Sequence, residues 1–567
     1  MFQSEPIDRE PSPLPALLLL ALGASLGLVL HFLTWGPEPW QITQSAPRLG
    51  AAAALGAGGI VFAVSLDRIR RLWSLFLALG SGAVAGFVVG WNGSPDHWGA
   101  GEGWQLVAAL LAIGIAVPIF QASRDSPRWN PDYAAVHAHG WTDAVLWAVA
   151  CGFTLLTWLM LNLLGALFDL IGIDLVGETI RQSWFAWTAL CAALGAAIGL
   201  LRERDWVLGL LQRVATAILS VLSPVLAAGL VLFVLALPFT GLEPLWEQTR
   251  ATTPILLACT IGAILLVNAA IGRDEEDESR SRAVRWAAAA LAAITFPLAL
   301  VAAISTGKRI AQHGFTPDRL WATVFVAITV VGAAAYLFAL VRGRAGWPAL
   351  LRKANLRLAI GTGLVALFLA LPIVDFGAIS TRDQVARLQS IRIAPDRFDW
   401  AALRFDFGPS GRRALGELAR SPDPVIRQRA REALRAASRW AIASPEPAAP
   451  ARSVRAPANL RVEGGKAVPA ALSDLVARDG QCAYGEACRL VFLTAGRAIL
   501  LHPGCRHCAP RLFDARPDDT WVQRLPPPPV TTSNGPLPDT ANGRVEVRKV
   551  ERQQLFIDGR PVGDPFE

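Results

Sequence analysis

The chain has 567 residues, of which 53% are hydrophobic and only 17% are charged, and its formal net charge is +8. Soluble proteins carry about 25% charged residues, and here the apolar residues form long uncharged runs that end near residue 376. This pattern excludes a soluble enzyme, a disordered protein and a small disulfide scaffold.

The first part of the chain predicts membrane-spanning helices. A stretch without charges that is about 18 or more residues long can cross the roughly 30 Å hydrocarbon layer, and only a helix satisfies its own backbone hydrogen bonds there. A β-barrel would instead show alternating segments of about ten residues. We therefore predict an all-α polytopic membrane protein with about eleven transmembrane helices and the lipid bilayer as its partner. The uncharged stretches are 14–34, 49–66, 72–91, 104–123, 144–168, 182–201, 214–239, 251–272, 286–307, 320–341 and 358–374.

The basic residues predict the orientation of these helices. The segments between the stretches form two alternating sets, which hold 18 and 6 Lys and Arg residues. Cytoplasmic loops are enriched in basic residues, so the richer set, which includes residues 1–13, is predicted to be cytoplasmic. With an odd number of spans, everything after the helical domain 14–376 is predicted to be extracytoplasmic.

Few polar groups lie within the apolar stretches. An ion-coupled transporter usually needs ionisable groups there, and the main polar residues are His31, Asn162 and Asn268. The two asparagines are predicted to bond to neighbouring helices. A cavity lined by any of these three residues would indicate a transporter or channel for a small uncharged or lipidic solute.

Other motifs in the membrane half give weaker hypotheses. Residues 23–27 (GASLG) match the G-x-S-x-G sequence pattern of a nucleophile elbow, but they lie in a predicted apolar helix and therefore do not predict a catalytic serine. His137 and His139, predicted to lie in a cytoplasmic loop, are a weak metal signal without further ligands. A membrane enzyme acting on lipid or glycan would need outer acids, and residues 169, 174 and 178 are the obvious set. We expect no cofactor and no metal.

The composition changes after residue 376. The tail holds 29 Lys and Arg and 21 Asp and Glu, so it carries the whole net charge. Residues 377–443 are predicted to be helical, with a strand near 403–407 and two basic amphipathic helices broken at Pro422 and Pro424. Residues 444–470 read as an Ala- and Pro-rich linker. Residues 471–567 are predicted to form a small β-rich domain with strands at 490–493, 498–501 and 545–550 and a hairpin near 555–559.

This small domain contains four cysteines, Cys482, Cys488, Cys505 and Cys508. Disulfides persist in an oxidising compartment, so the predicted location favours two bridges, whose pairing the sequence does not decide. Two clusters of cysteines could also bind zinc. The spacing of the last pair is that of a redox motif, although no thioredoxin-like βαβ pattern surrounds it.

The region around the last span resembles a known family. The residues are 372–380 (PIVDFGAIS), 384–388 (QVARL), 398–400 (FDW) and 403–408 (LRFDFG). They resemble bacterial multi-pass membrane proteins of the domain of unknown function 4153 family. The resemblance implies a polytopic inner-membrane protein with an appended tail and implies no activity or catalytic residues.

Together these observations favour a non-enzymatic protein of the bacterial cell envelope. Its basic extracytoplasmic tail is expected to bind anionic lipid, a cell-wall polymer or a protein partner. Nucleic acid is not expected as a partner, because the tail is predicted to lie outside the cytoplasm.

Overall fold

A computed structural model gives the fold of the chain. It describes residues 14–35, 45–66, 70–94, 98–126, 129–241, 252–436, 438–439, 442, 460–463, 468–477, 488–494, 496–501, 511–515, 521–524, 553–557 and 560–566. The chain divides into two compact units, Met1–Pro445 and Glu446–Glu567.

The regular elements in the described residues of the first unit are all helices. Its helices are α1 (Leu14–Thr34), α2 (Ala46–Ser65), α3 (Arg71–Asn92), α4 (Ala100–Asp125), α5 (Tyr133–Asp169), α6 (Leu175–Arg181), α7 (Ser183–Arg202), α8 (Asp205–Thr240), α9 (Thr252–Ile271), α10 (Arg282–His313), α11 (Pro317–Gly343), α12 (Trp347–Ala370), α13 (Phe376–Gln389), α14 (Gly408–Leu418) and α15 (Pro424–Arg435). A short 3-10 turn, Arg344–Gly346, joins α11 to α12.

Ten segments of the described chain are long and apolar enough to cross a membrane. The tenth, Pro317–Ala370, contains the two helices α11 and α12. Tyr336 and Asn355 would lie about 28 Å apart on one straight helix, yet both bond to the amide of Asn268. The two helices therefore run side by side in opposite directions, and each of the eleven predicted spans corresponds to a separate helix.

The outer surfaces of these helices are apolar. On α8, for example, Val221 is 74% exposed and Phe239 is 91% exposed. Such a surface is costly in water and favourable against acyl chains. The chain is thus a multi-pass membrane protein whose helices contact the lipid bilayer.

Glycines bring α1 and α7 into close contact. A Cβ at Gly195 of α7 would overlap the carbonyl of Leu19 on α1, and a Cβ at Gly27 would overlap the carbonyl of Trp187. Ser25 lies on the same stretch of α1 and donates to the carbonyl of Ala21 in its own helix. The GASLG stretch is therefore a packing surface, as its apolar context predicts.

Arginines bond to the carbonyl ends of two helices. Arg124 donates to the carbonyl of Ser65 (2.8 Å), and Arg202 donates to Val64 (2.7 Å) at the same end of α2. Arg352 donates to the carbonyl of Ile271 (2.7 Å) at the end of α9. The last carbonyls of a helix lack intrahelical partners and carry partial negative charge, so each arginine stabilises the end that it contacts.

Residues 376–435 form a compact helical layer within the first unit. The predicted strand near 403–407 is wrong, because residues Ala402–Asp406 form a π-helical turn. Leu403 and Phe407 are both buried, at the spacing of one helical turn, and the carboxylate of Asp399 accepts from the amide of Ala402 (2.9 Å). This side-chain cap starts a helical turn where the alternation of apolar residues suggested a strand.

The two predicted amphipathic helices are present as α14 and α15. The break between them ends at Asp423, whose carboxylate accepts from the amide of Val425 (2.8 Å). Their apolar faces are buried against each other, with Leu415, Ala430 and Ala433 fully inaccessible to solvent. These faces are not free to enter a membrane surface, and Arg429, Arg431 and Arg435 of α15 face solvent.

The described residues of the second unit form a five-stranded sheet, a hairpin and one helix. Its elements are β1 (Arg461–Val462), α16 (Ala470–Ala477), β2 (Arg489–Thr494), β3 (Arg497–Leu501), β4 (Arg511–Ala515), β5 (Trp521–Arg524), β6 (Gln553–Ile557) and β7 (Arg560–Phe566). The sheet order is β1-β2-β3-β4-β5, in which only the β1–β2 pair is parallel, and β6 and β7 form a separate hairpin.

The strands at 490–493 and 498–501 and the hairpin near 555–559 confirm the prediction. Strand β1 lies inside the predicted linker 444–470. Because β1 pairs with β2, the folded part of the second unit begins earlier than the composition predicts. The predicted strand at 545–550 and residues 1–13 lie outside the described residues.

Candidate functional site

A cavity of about 920 Å³ lies between five helices of the first unit. Its walls come from α4, α5, α9, α11 and α12, and none of the described residues that line it is Asp, Glu, Lys or Arg. Most of the wall is apolar, with a few polar side chains. Small-molecule sites generally combine such a wall with a few polar groups that fix orientation.

Residues spaced three or four apart lie on one face of a helix, and such a face of each helix lines the cavity. On α5, Tyr133, His137 and Trp141 follow one another at intervals of four residues and all line the cavity. Pro254 and Asn268 on α9 also line it and are 14 residues apart. At about 1.5 Å per residue, the cavity extends about 21 Å along α9, which is most of the hydrocarbon layer.

Asn268 is the centre of the polar end of the cavity. Its Oδ1 accepts from the Tyr133 hydroxyl (3.3 Å) and from Asn355 Nδ2 (2.7 Å). Its Nδ2 donates to the Tyr336 hydroxyl (2.6 Å) and to the carbonyl of Ile264 (2.8 Å). One amide thus links four helices, α5, α9, α11 and α12, which confirms that Asn268 bonds to neighbouring helices.

The other end of the cavity is aromatic. Trp104 at the start of α4 lies edge to face with Phe325 near the start of α11, with ring centroids 4.9 Å apart. Trp321, one turn before Phe325, is 2% exposed and packs on the same cluster. The cavity therefore has an amide and hydroxyl end, an aliphatic middle and an aromatic end.

The two histidines of α5 are not brought together. They lie in a helix rather than in the predicted loop, and the side chain of His137 accepts from Trp141 Nε1 at 3.0 Å. His139 instead contacts the carboxylate of Asp125 at 3.3 Å. Within the described residues, no three His, Cys, Asp or Glu side chains form a group that could hold a metal ion.

The other polar residues singled out in the sequence do not join this site. Asn162 is exposed and donates to the carbonyl of Trp158 in its own helix, so the prediction of a bond to another helix is wrong for it. His31 is buried at the end of α1 beside Phe32. The acids at 169, 174 and 178 are all exposed.

The acidic run 274–278 follows the end of α9, a few residues after Asn268. Arg352 forms an ion pair with Glu278 (2.6 Å) and also donates to the carbonyl of Asp274 (2.8 Å). The amides of Asp277 and Glu276 donate to the carboxylate of Asp274, and these bonds, with Arg273 nearby, hold the pKa of Asp274 below its ordinary value. The run is a turn that fixes the end of α9.

Sequence reasoning found Asn268 but missed its partners Tyr133, Tyr336 and Asn355. The chain has only 3 tyrosines, and two of them meet at this amide. Their rarity, together with their positions at the ends of apolar helices, was the signal available in the sequence.

Comparison with known proteins identifies no relative. No protein-family model matches the chain, and neither a curated protein nor a solved structure matches it significantly. The resemblance to the domain of unknown function 4153 family therefore stays a prediction.

Proposed function

We propose that the protein binds a small uncharged or lipidic solute in the cavity between α4, α5, α9, α11 and α12, as a transporter or carrier would. The observation that supports this function is the cavity itself, with Asn268 at its polar end and no charged side chain on its described lining. A charged solute would find no counter-ion there, and burial of an unpaired charge is costly.

The two ends of the cavity favour an amphipathic solute. A hydroxyl or amide group would exchange hydrogen bonds with Asn355 or Thr329, whose side chains carry both donors and acceptors, while Asn268, whose own hydrogen bonds go to the protein, holds this polar end together. An apolar chain would lie along the aliphatic wall for about 21 Å, towards Trp104. The solute class is therefore a long apolar molecule with one uncharged polar group.

Filling the cavity tests this function. Gly332 is a buried residue of α11 that lines the cavity, and a Cβ built on it meets no atom within 4 Å. Gly332→Leu should place its side chain in the empty space and reduce retention of co-purified apolar solute at least tenfold. The measurement is mass spectrometry of organic extracts from the purified full-length protein.

Gly361→Leu is the matched control. Gly361 is an exposed residue of α12, it does not line the cavity, and its Cβ position is also open. The control should retain as much solute as the natural protein. Equal retention by the Gly332 and Gly361 variants, with both correctly folded, would contradict the proposed binding site.

A second function is supported by the tail. We propose that residues 377–567 lie on the extracytoplasmic side of a bacterial inner membrane and bind an anionic lipid, a cell-wall polymer or a protein partner. The supporting observation is the outer face of α15, where Arg429, Arg431 and Arg435 are exposed while the apolar face is buried. Such a fixed basic face would attract polyanions.

The small domain is proposed to be stabilised by disulfides. Cys488 lies immediately before β2 with 2% of its surface exposed, inside the core of the domain. The free thiols of the described residues are Cys151, Cys191 and Cys259, and Cys488 is not among them. The other three candidates, Cys482, Cys505 and Cys508, lie outside the described residues.

Thiol labelling tests the location and oxidation of the tail together. In cells expressing a variant with Cys151, Cys191 and Cys259 replaced by serine, a membrane-impermeant maleimide should label the tail only after a reductant is added. Reduction should also destabilise the domain by about 2–4 kcal/mol per bridge. Labelling that requires lysis but no reductant would contradict both the extracytoplasmic location and the disulfides.

A further inference from the structure

A second, chemically different pocket lies near the ends of α9 and α11, and none of its described lining residues also lines the solute cavity. It has a volume of about 390 Å³ and is formed by the start of α10 and the turn between α11 and α12. Arg282, Arg285 and Arg344 line it, together with Trp286 and Trp347. Three exposed arginines thus line one concave surface.

Within the part of the chain that the structure describes, no ion pair joins Arg282, Arg285 or Arg344 to a carboxylate. Glu278 also lines the pocket, but its carboxylate is paired with Arg352 at 2.6 Å. Because α10 begins at Arg282, its first amide groups add partial positive charge.

The pocket lies at the edge of the lipid-facing surface. Trp286, which lines the pocket, is 77% exposed, and the apolar residues Leu340 and Trp347 also line it. Tryptophan prefers the membrane–water interface, so the exposed indole of Trp286 places the pocket at that level. An anion in this pocket would therefore lie beside apolar side chains that also contact lipid.

We propose that this pocket binds the phosphate of an anionic phospholipid headgroup. Arginine is suited to bidentate recognition of phosphate oxygens, and basic pockets between transmembrane helices recognise such headgroups. The tryptophans would flank the glycerol region, and the acyl chains would begin beside the exposed indole of Trp286. This site does not depend on the solute cavity.

The backbone at Arg344 supplies a separate test of its role. Arg344 has a φ of 46° at the end of α11, a left-handed conformation that non-glycine residues rarely adopt. Glycine is the residue favoured at this position of a helix end. If Arg344 only shaped the turn, Arg344→Gly would leave the fold unchanged or stabilise it and would have no effect on lipid binding.

The experiment measures lipid binding to the full-length protein in detergent by native mass spectrometry. The natural protein should bind phosphatidylglycerol more tightly than phosphatidylcholine. Each guanidinium removed should weaken phosphatidylglycerol binding about fivefold, so Arg282→Gln, Arg285→Gln and Arg344→Gln combined should weaken it roughly a hundredfold. Arg344→Gly alone should weaken it about fivefold without lowering the unfolding temperature.

The control removes the same charge elsewhere. Arg280, Arg342 and Arg357 are exposed and do not line the pocket, so changing all three to Gln should leave the preference for phosphatidylglycerol in place. Equal losses in the two triple variants would overturn the proposed site. If glycerol 3-phosphate at equal concentration displaced the lipid, the pocket would be a site for a soluble phosphate ester, and the proposal of a lipid headgroup site would be wrong.

Discussion

Adding one methyl group at each of two glycines, Gly27→Ala with Gly195→Ala, should destabilise the protein by about 2–6 kcal/mol. Overpacking costs about 1–3 kcal/mol per site, and here each added Cβ would overlap a backbone carbonyl of the facing helix. A carbonyl cannot rotate away as a side chain can, so α1 and α7 must separate. The measurement is unfolding of the purified protein in mixed micelles, followed by tryptophan fluorescence.

Gly80→Ala provides the comparison. Gly80 is an exposed residue of α3, and its Cβ position meets no atom within 4 Å. The same methyl group should leave stability unchanged or raise it by up to about 1 kcal/mol. If the double variant and Gly80→Ala unfold at the same denaturant concentration, close packing of α1 on α7 does not stabilise the membrane domain.

Asn268→Leu should cost about 2–5 kcal/mol of stability and remove solute binding. The variant loses three interhelical hydrogen bonds, each of which contributes about 0.6–1.7 kcal/mol in a membrane protein. It also leaves Tyr336, which is 2% exposed, without the amide that donates to it. Solute retention and the unfolding midpoint, measured on the same preparations, separate the two effects.

Asn162→Leu is the control for this change. Asn162 has the same side chain in the same kind of apolar helix, but it is exposed and bonds only within its own turn. The exchange should change stability by less than about 0.5 kcal/mol and should not affect the solute. A loss of stability at Asn162 equal to that at Asn268 would show that the polar cluster contributes nothing beyond the substitution itself.

The membrane half was the most predictable part of the fold. Charge-free length decides whether a helix can span a bilayer, and this property is local in the sequence. Each of the eleven predicted stretches accordingly overlaps a helix in the structure. The short alternating segment at 403–407 failed because Leu403 and Phe407 fit a helical turn as well as a strand, and the cap at Asp399 decides between them.

The candidate sites were only partly predictable. Asn268 is conspicuous as a lone polar residue in an apolar stretch, but nothing local connects it to Tyr133 or Asn355, which are far away along the chain. The arginine pocket could not be predicted locally either, because Arg282 and Arg344 line one pocket only when α10 and α11 pack side by side. A count of basic residues in loops does not distinguish these arginines from the other arginines predicted to be cytoplasmic, whereas the fold does.

The arginines at the ends of α2 and α9 link membrane insertion to folding. Arg124, Arg202 and Arg352 belong to the cation-rich set of segments that predicts how the polypeptide threads into the membrane, and in the finished molecule all three are bonded to backbone oxygens. If these cations also set the orientation, as the charge bias predicts, the same residues act once during insertion and again in the folded protein. Removing them to reverse the orientation would then also weaken the packing of the assembled helices.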